Sequence, residues 1–283
     1  MIARKWAWSL PFLMILNTSA AYAQTHPPGA IRDVEYAQVN GISLRLDACL
    51  PDSPVKTPAV IIVHGGGWVR GDRRIDVEPL FEPLSQAGLA WFSISYRLAT
   101  DVTQFGVAID DVQSAIRYVK AHAYEYNIDP NRIALIGESA GGQLAAMAVL
   151  RGGADVSVKA VVAIYTPTDL VSLVKNSRYV PAQMQNTIKG SPWESFILAG
   201  LSQLSPIENI RRGMPPFLFI HGTSDMLVPF EQSKQMCERM RKAGASCEIY
   251  PVEGAGHGIR WWDSNRASSV FNKVMVPWLE KQL

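Results

Sequence analysis

The sequence predicts a single α/β domain: a mostly parallel sheet that opens with an antiparallel hairpin and carries helices on both faces. Three observations predict it. Short apolar runs alternate with longer segments of helical pattern from residue 59 to the C-terminus, the order expected of β–α units. Asn40-Gly41 separates two runs of strand character, and that dipeptide is the strongest short hairpin signal. The chain has 283 residues, and less its leader it suits one large domain better than two small ones.

The leader comes first in the chain. Arg4 and Lys5 make a short basic start, residues 6–16 are mostly apolar, and Ala21-Tyr22-Ala23 has the small–x–small form of a cleavage site. This predicts a secretory signal peptide over 1–23, with 24–283 as the domain and a secreted or periplasmic location. A membrane anchor fits less well. The run is about half of the roughly 20 apolar residues a span needs, and Ser9 and Pro11 interrupt it. The leader holds two of the 27 basic residues and none of the 25 acidic ones. The remainder is formally neutral, which argues against nucleic acid, or a membrane after cleavage, as a partner held by bulk charge.

Strands are expected at 34–39, 42–46, 59–63, 90–95, 132–136, 158–165, 216–220 and 247–252, each an apolar run bounded by turn residues. Helices are expected near 77–87, 105–126, 139–151, 229–243 and 264–281. In the second of these, Val107, Ile109, Val112, Ile116 and Val119 recur at roughly helical spacing. The alternation breaks at 166–213, between the sixth and seventh strands. Pro, Asn and Gly are scattered there among Tyr179, Met184, Trp193 and Phe196. The segment reads as an excursion over the top of the sheet, a partial lid or pocket wall, with an irregular surface connection as the plainer alternative. Three cysteines permit one disulfide. Cys237 falls in an expected helix and Cys247 opens the next strand, so a bridge and two separate buried thiols both fit, and Cys49 leaves the pairing open.

The chemistry centres on Ser139, in Gly137-Glu138-Ser139-Ala140-Gly141, between an apolar strand and a helix-like stretch. So sharp a reversal leaves no room beside the serine, and the positions two before and two after it are both glycine. A hydroxyl needs a base, a group to orient that base, and donors for the developing oxyanion. His257, in the glycine-rich loop Glu253-Gly254-Ala255-Gly256-His257-Gly258, is the candidate base. His26 lies near the start of the domain, His122 lies on a polar helix face, and His64 and His221 suit loop bracing. Asp225, after the strand 216–220, is the candidate orienting acid, with Glu253 and Asp263 as substitutes. His64-Gly65-Gly66-Gly67-Trp68 follows the strand 59–63. There Gly66 and Gly67 are candidate oxyanion donors together with the N–H of Ala140. A phosphate cradle is the rival reading, but it lacks the Lys-Ser/Thr ending. Trp68 and Trp261 are candidate substrate-binding residues, although tryptophans just past His257 also suit packing of the last helix. No metal-ligand spacing is present, and no cofactor is expected.

These residues carry a resemblance. The chain resembles the α/β-hydrolase superfamily in its His-Gly-Gly-Gly carboxylesterase branch, and within it the exported BD-FAE-type esterases (feruloyl or acetylxylan esterase-like). Supporting stretches are Asn40-Gly41 with Leu44-Arg45-Leu46-Asp47, Ser95-Tyr96-Arg97-Leu98, Asn127-Ile128-Asp129-Pro130-Asn131-Arg132, Thr166-Pro167-Thr168-Asp169-Leu170 and Val228-Pro229. The resemblance implies Ser139 as nucleophile, Asp225 as acid, His257 as base, and Gly66, Gly67 and Ala140 as oxyanion donors. It departs from the hormone-sensitive-lipase relatives, whose N-terminal helices form a cap where this chain has a hairpin.

The leading expectation is a serine carboxylic-ester hydrolase working through an acyl-enzyme on a small-molecule or carbohydrate ester, with short acyl, acetyl or feruloyl groups. The same triad also serves amide bonds, as in arylformamidases or prolyl-peptidase relatives, although the short chain has no propeller domain to select peptides. A non-catalytic binding protein on this fold is the third class, since fold alone never establishes activity.

Overall fold

The computed structural model describes residues 30–100, 104–176, 189–262 and 268–283. The expected leader, His26, Tyr179, Met184 and Asp263 lie outside the described residues. β1 (Ile31–Val39) and β2 (Ile42–Cys49) form the hairpin, with Val39 paired to Ile42 across Asn40-Gly41. Both turn residues have positive φ, 51° and 80°, as a two-residue turn matched to the strand twist requires. The six strands that follow are β3 (Thr57–Val63), β4 (Ala90–Ile94), β5 (Ile128–Glu138), β6 (Ala160–Ile164), β7 (Phe217–Gly222) and β8 (Cys247–Val252). They make one eight-stranded sheet of order β1-β2-β4-β3-β5-β6-β7-β8, in which β2 meets β4 antiparallel and every later pair is parallel.

Helices cover both faces, which is why the central strands read as unbroken apolar runs. Successive strand residues point to opposite sides. Ile61 and Leu135 join one buried cluster with α2 (Val107–Ala121), α3 (Ala140–Arg151) and α6 (Glu231–Lys242). Val60, Ile62, Ala134 and Ile136 join the other with α1 (Phe81–Gln86), α7 (Ile259–Trp262) and α8 (Ser268–Gln282). Among the described residues no helix is long and apolar enough to cross a membrane.

One expectation needs correction, and one alternative falls away. The strand expected at 132–136 continues through Glu138, because Gly137 pairs with both Val63 and Ala163 and Glu138 pairs with Ile164. The excursion at 166–213 is not irregular throughout. It contains α4 (Leu170–Asn176) and α5 (Glu194–Gln203). Leu201 is the one buried residue of α5. The open question at the cysteines is answered by a Cys237–Cys247 disulfide with a Cα separation of 5.4 Å, tying α6 to β8. Cys49 is a free thiol.

Candidate active site

Ser139, Ala140, Asp225, His257, Gly66 and Gly67 lie just beyond the carboxyl ends of parallel strands, where open α/β sheets place their ligands. Ser139 follows β5 with φ 50° and ψ −121°, a backbone conformation that costs of order 1–3 kcal/mol. Its surroundings enforce it. A Cβ on Gly137 would lie 2.4 Å from the Gly141 carbonyl oxygen, and one on Gly141 would lie 2.2 Å from that of Val63. The Ser139 N–H donates to the Ile164 carbonyl at 2.9 Å. Ser139 is half-buried and lines a cavity.

The loops after β7 and β8 are bonded to each other and carry Asp225 and His257. Thr223 N–H donates to Val252 O at 3.0 Å and Ser224 N–H to Ala255 O at 3.0 Å, and Gly254 N–H donates to Thr223 Oγ1 at 2.9 Å. His257 Nδ1 lies 2.7 Å from Asp225 Oδ2, and its Nε2 lies 2.9 Å from Ser139 Oγ. Asp225 Oδ1 accepts the N–H groups of Leu227 and Val228, each at 2.9 Å. Burial alone raises the Asp225 carboxyl. Hydrogen bonds to His221, His257 and the Val228 N–H outweigh it and bring the pKa down to about 2. The carboxylate is therefore ionised wherever a histidine base can work.

The other candidates fall elsewhere. Glu253 accepts from Thr223 Oγ1 at 3.2 Å. His221 Nδ1 lies 2.7 Å from Ser233 Oγ and its Nε2 lies 2.9 Å from Val228 O. His64 lies 2.8 Å from Gly65 O through Nδ1 and stacks on Tyr96. Burial holds its imidazole below the usual histidine range. Both histidines brace loops. His122 follows α2 and stacks on Tyr118.

Gly66 and Gly67 form the loop beside Ser139, and among the described residues their N–H groups have no internal acceptor. Ala140 is the first residue of α3, where an N–H has no carbonyl one turn back within the helix. The loop is held from below. Tyr96 O–H lies 3.0 Å from His64 O and 3.2 Å from Gly65 O, and Arg97 pairs with buried Asp111 at 2.7 Å. These contacts account for two residues of the Ser-Tyr-Arg-Leu stretch.

A cavity of about 1000 Å³ opens over Ser139 and His257. Trp68, Phe105, Leu170, Leu173 and Leu201 line it, so α4 and α5 supply a pocket wall. The Trp68 ring stacks on Phe105, and its Nε1–H donates to buried Gln143 at 2.9 Å. Of the adjacent tryptophans, Trp262 packs in the core against Tyr165 and Phe271, whereas Trp261 lines the cavity and is 72% exposed. Sequence reasoning gave Glu138 and Tyr165 no role. Glu138 is buried beside the serine, accepts the Gly65 N–H at 3.0 Å and binds the Tyr165 hydroxyl. Burial pushes its carboxyl up, against those two bonds. No local pattern in the sequence signals these contacts. Among the described residues no cluster of His, Cys, Asp or Glu suits a metal ion.

A sheet of this order, a serine on a left-handed turn between strand and helix, and a histidine and aspartate on the last two strand loops define the α/β-hydrolase fold. The chain belongs to the BD-FAE family, whose pattern matches residues 46–240. It is 36% identical over 244 residues to Esterase LipC of Mycobacterium tuberculosis, a match covering 80% of this chain and 59% of that protein. It is 29% identical to a probable isoprenylcysteine alpha-carbonyl methylesterase (ICMEL1) of Arabidopsis thaliana, over 75% of this chain and 48% of that one. The chain thus spans about half the length of such curated relatives. Among solved structures it is similar to Thermogutta terrifontis esterase 2. With that protein's sarin-phosphonylated form the TM-score is 0.71 and the identity 27%, over 90% of this chain and 97% of that one. With the propionate-bound form the values are 0.70 and 28%, over 88% and 94%.

Proposed function

We propose that this protein is a serine carboxylic-ester hydrolase that works through an acyl-enzyme. One observation carries the reading: Ser139 Oγ, His257 and Asp225 form a continuous hydrogen-bonded line at 2.9 and 2.7 Å. In this reading His257 Nε2 takes the hydroxyl proton as Oγ attacks the acyl carbon. The Nδ1–H bond to Asp225 holds the imidazole in the right tautomer and stabilises the imidazolium. The N–H groups of Gly66, Gly67 and Ala140 receive the oxyanion, each such donor contributing about 3 kcal/mol in the transition state. Collapse of the tetrahedral adduct breaks the ester C–O bond as His257 returns its proton to the leaving alcohol. Water then repeats the sequence on the acyl-serine and frees the acid.

The esterase names of the relatives favour esters over amides. The propionate and butyrate held by Thermogutta terrifontis esterase 2 favour short acyl groups. Trp261, exposed and lining the cavity, supports a substrate with a sugar or aromatic portion. The leader pattern supports export, and N-terminal sequencing of secreted protein beginning at Gln24 tests that point. Ser139→Ala is expected to fold and to lose essentially all hydrolysis of p-nitrophenyl acetate. Near-normal turnover in that variant refutes the proposal.

A further inference from the structure

We infer that Glu138 is a positioning residue that locks the oxyanion loop, the nucleophile turn and the histidine loop together through one buried carboxylate. The inference rests on the reading of Ser139 as nucleophile. Glu138 ends β5 and is bonded directly to Ser139. Its Oε1 accepts the Gly65 N–H at 3.0 Å, from the residue immediately before the proposed oxyanion donors. Its Oε2 accepts the Tyr165 hydroxyl. The Tyr165 oxygen in turn accepts the Ile259 N–H at 2.9 Å, two residues beyond His257. Three hydrogen bonds thus run unbroken from the loop that would receive the oxyanion, through the neighbour of the nucleophile, to the segment that carries the base.

Two further contacts make the clamp tight. A Cβ on Gly65 would lie 2.9 Å from Glu138 Oε1, so the loop rests directly on the carboxylate. The Tyr165 ring packs against the His257 imidazole with centroids 4.5 Å apart and makes a T-shaped contact with Trp262. Tyr165 is itself fixed by its backbone N–H, which donates to Ile220 O at 2.8 Å. Burial keeps the phenol protonated, so it remains the donor in its bond to Glu138.

A buried carboxylate is costly to retain merely as filler, because both its oxygens must find donors. Here the donors come from the two loops whose spacing decides whether base and oxyanion hole serve the same tetrahedral centre. Small displacements of such groups cost rate rather than binding.

The test uses the full chain with Glu138→Gln, Tyr165→Phe and the double variant, assayed with p-nitrophenyl acetate beside thermal melting. Each single change is expected to lower kcat about 10- to 100-fold, with KM within about twofold. The double variant is expected to be no worse than about the poorer single one, because both changes cut the same chain. Tyr165→Phe keeps the ring and its packing, so it isolates the hydrogen bonds even if Glu138→Gln folds poorly. A lower melting temperature with unchanged kcat in Tyr165→Phe, or losses that multiply in the double variant, overturns the clamp. Ser139→Ala, run in parallel, separates the two readings. Turnover retained there overturns the nucleophile assignment and the clamp with it. An inactive Ser139→Ala beside fully active Glu138→Gln and Tyr165→Phe overturns the clamp alone.

Discussion

Asp225→Asn is expected to leave a folded protein whose kcat falls about 10⁴-fold, equivalent to about 5.5 kcal/mol of transition-state stabilisation. The size of the loss follows from how the site would orient the new amide. Asp225 Oδ1 is held by two backbone donors, Leu227 N–H and Val228 N–H at 2.9 Å each. Only the amide oxygen satisfies them, so the NH₂ group must take the Oδ2 position, 2.7 Å from His257 Nδ1. A donor there forces the imidazole proton onto Nε2, which faces Ser139 Oγ at 2.9 Å. The base then has no lone pair for the serine proton. The amide finds no escape at His221, whose Nε2 lies 3.4 Å from Asp225 Oδ2 and is engaged with Val228 O at 2.9 Å. Steady-state hydrolysis of p-nitrophenyl acetate, with circular dichroism to establish folding, measures the effect. A folded Asp225→Asn protein that keeps kcat within tenfold of the parent refutes the tautomer argument.

Two other perturbations separate shape from chemistry and local from global stability. Gly66→Ala places its Cβ 2.1 Å from the Arg70 carbonyl oxygen, whereas Gly67→Ala meets nothing within 4 Å. Both carry the strain of a positive φ, but only the first must move the loop. Gly66→Ala is therefore expected to lose about 100-fold or more in kcat and Gly67→Ala markedly less; equal kinetic losses would contradict the assignment. Removing the Cys237–Cys247 bridge with paired alanines opens a loop with a sequence separation of 10. Chain entropy puts its contribution at about 2.5–3 kcal/mol. Differential scanning calorimetry should show the melting temperature falling by roughly 5–10 °C, and an unchanged value would show that the bridge does not constrain the unfolded chain.

The strands were legible because parallel strands covered on both faces must be apolar on both, and the run 59–63 is buried throughout its length. Their ends were less legible. Glu138 looks like loop, yet it lies in β5 because the neighbouring β6 extends that far and pairs Ile164 with it. Helices α4 and α5 were not legible for a related reason. Their apolar residues line the cavity or face solvent rather than the sheet, and the scattered Pro, Asn and Gly around them interrupt the β–α alternation that marked the other helices. The site was legible where its chemistry is local. Gly137 and Gly141 announce the turn because backbone crowds them from within a few residues or from the adjacent strand. Glu138 and Tyr165 were silent, since the carboxylate bonds residues 73 and 27 positions away.

By itself, then, the sequence determined the element order, the turn that presents Ser139, and the glycine loops around Gly66 and His257, because these depend on short-range sterics and periodicity. The tertiary structure alone decided that His257 meets a serine 118 positions away and an aspartate 32 positions away. It also chose between a bridge and two thiols at Cys237 and Cys247, and it buried Trp262 while leaving Trp261 at the cavity. The physical reason is the parallel sheet. β5, β6, β7 and β8 lie side by side and run the same way, so loops far apart in sequence emerge at one edge. Contacts across that edge depend on strand order, and no local pattern in the chain encodes it.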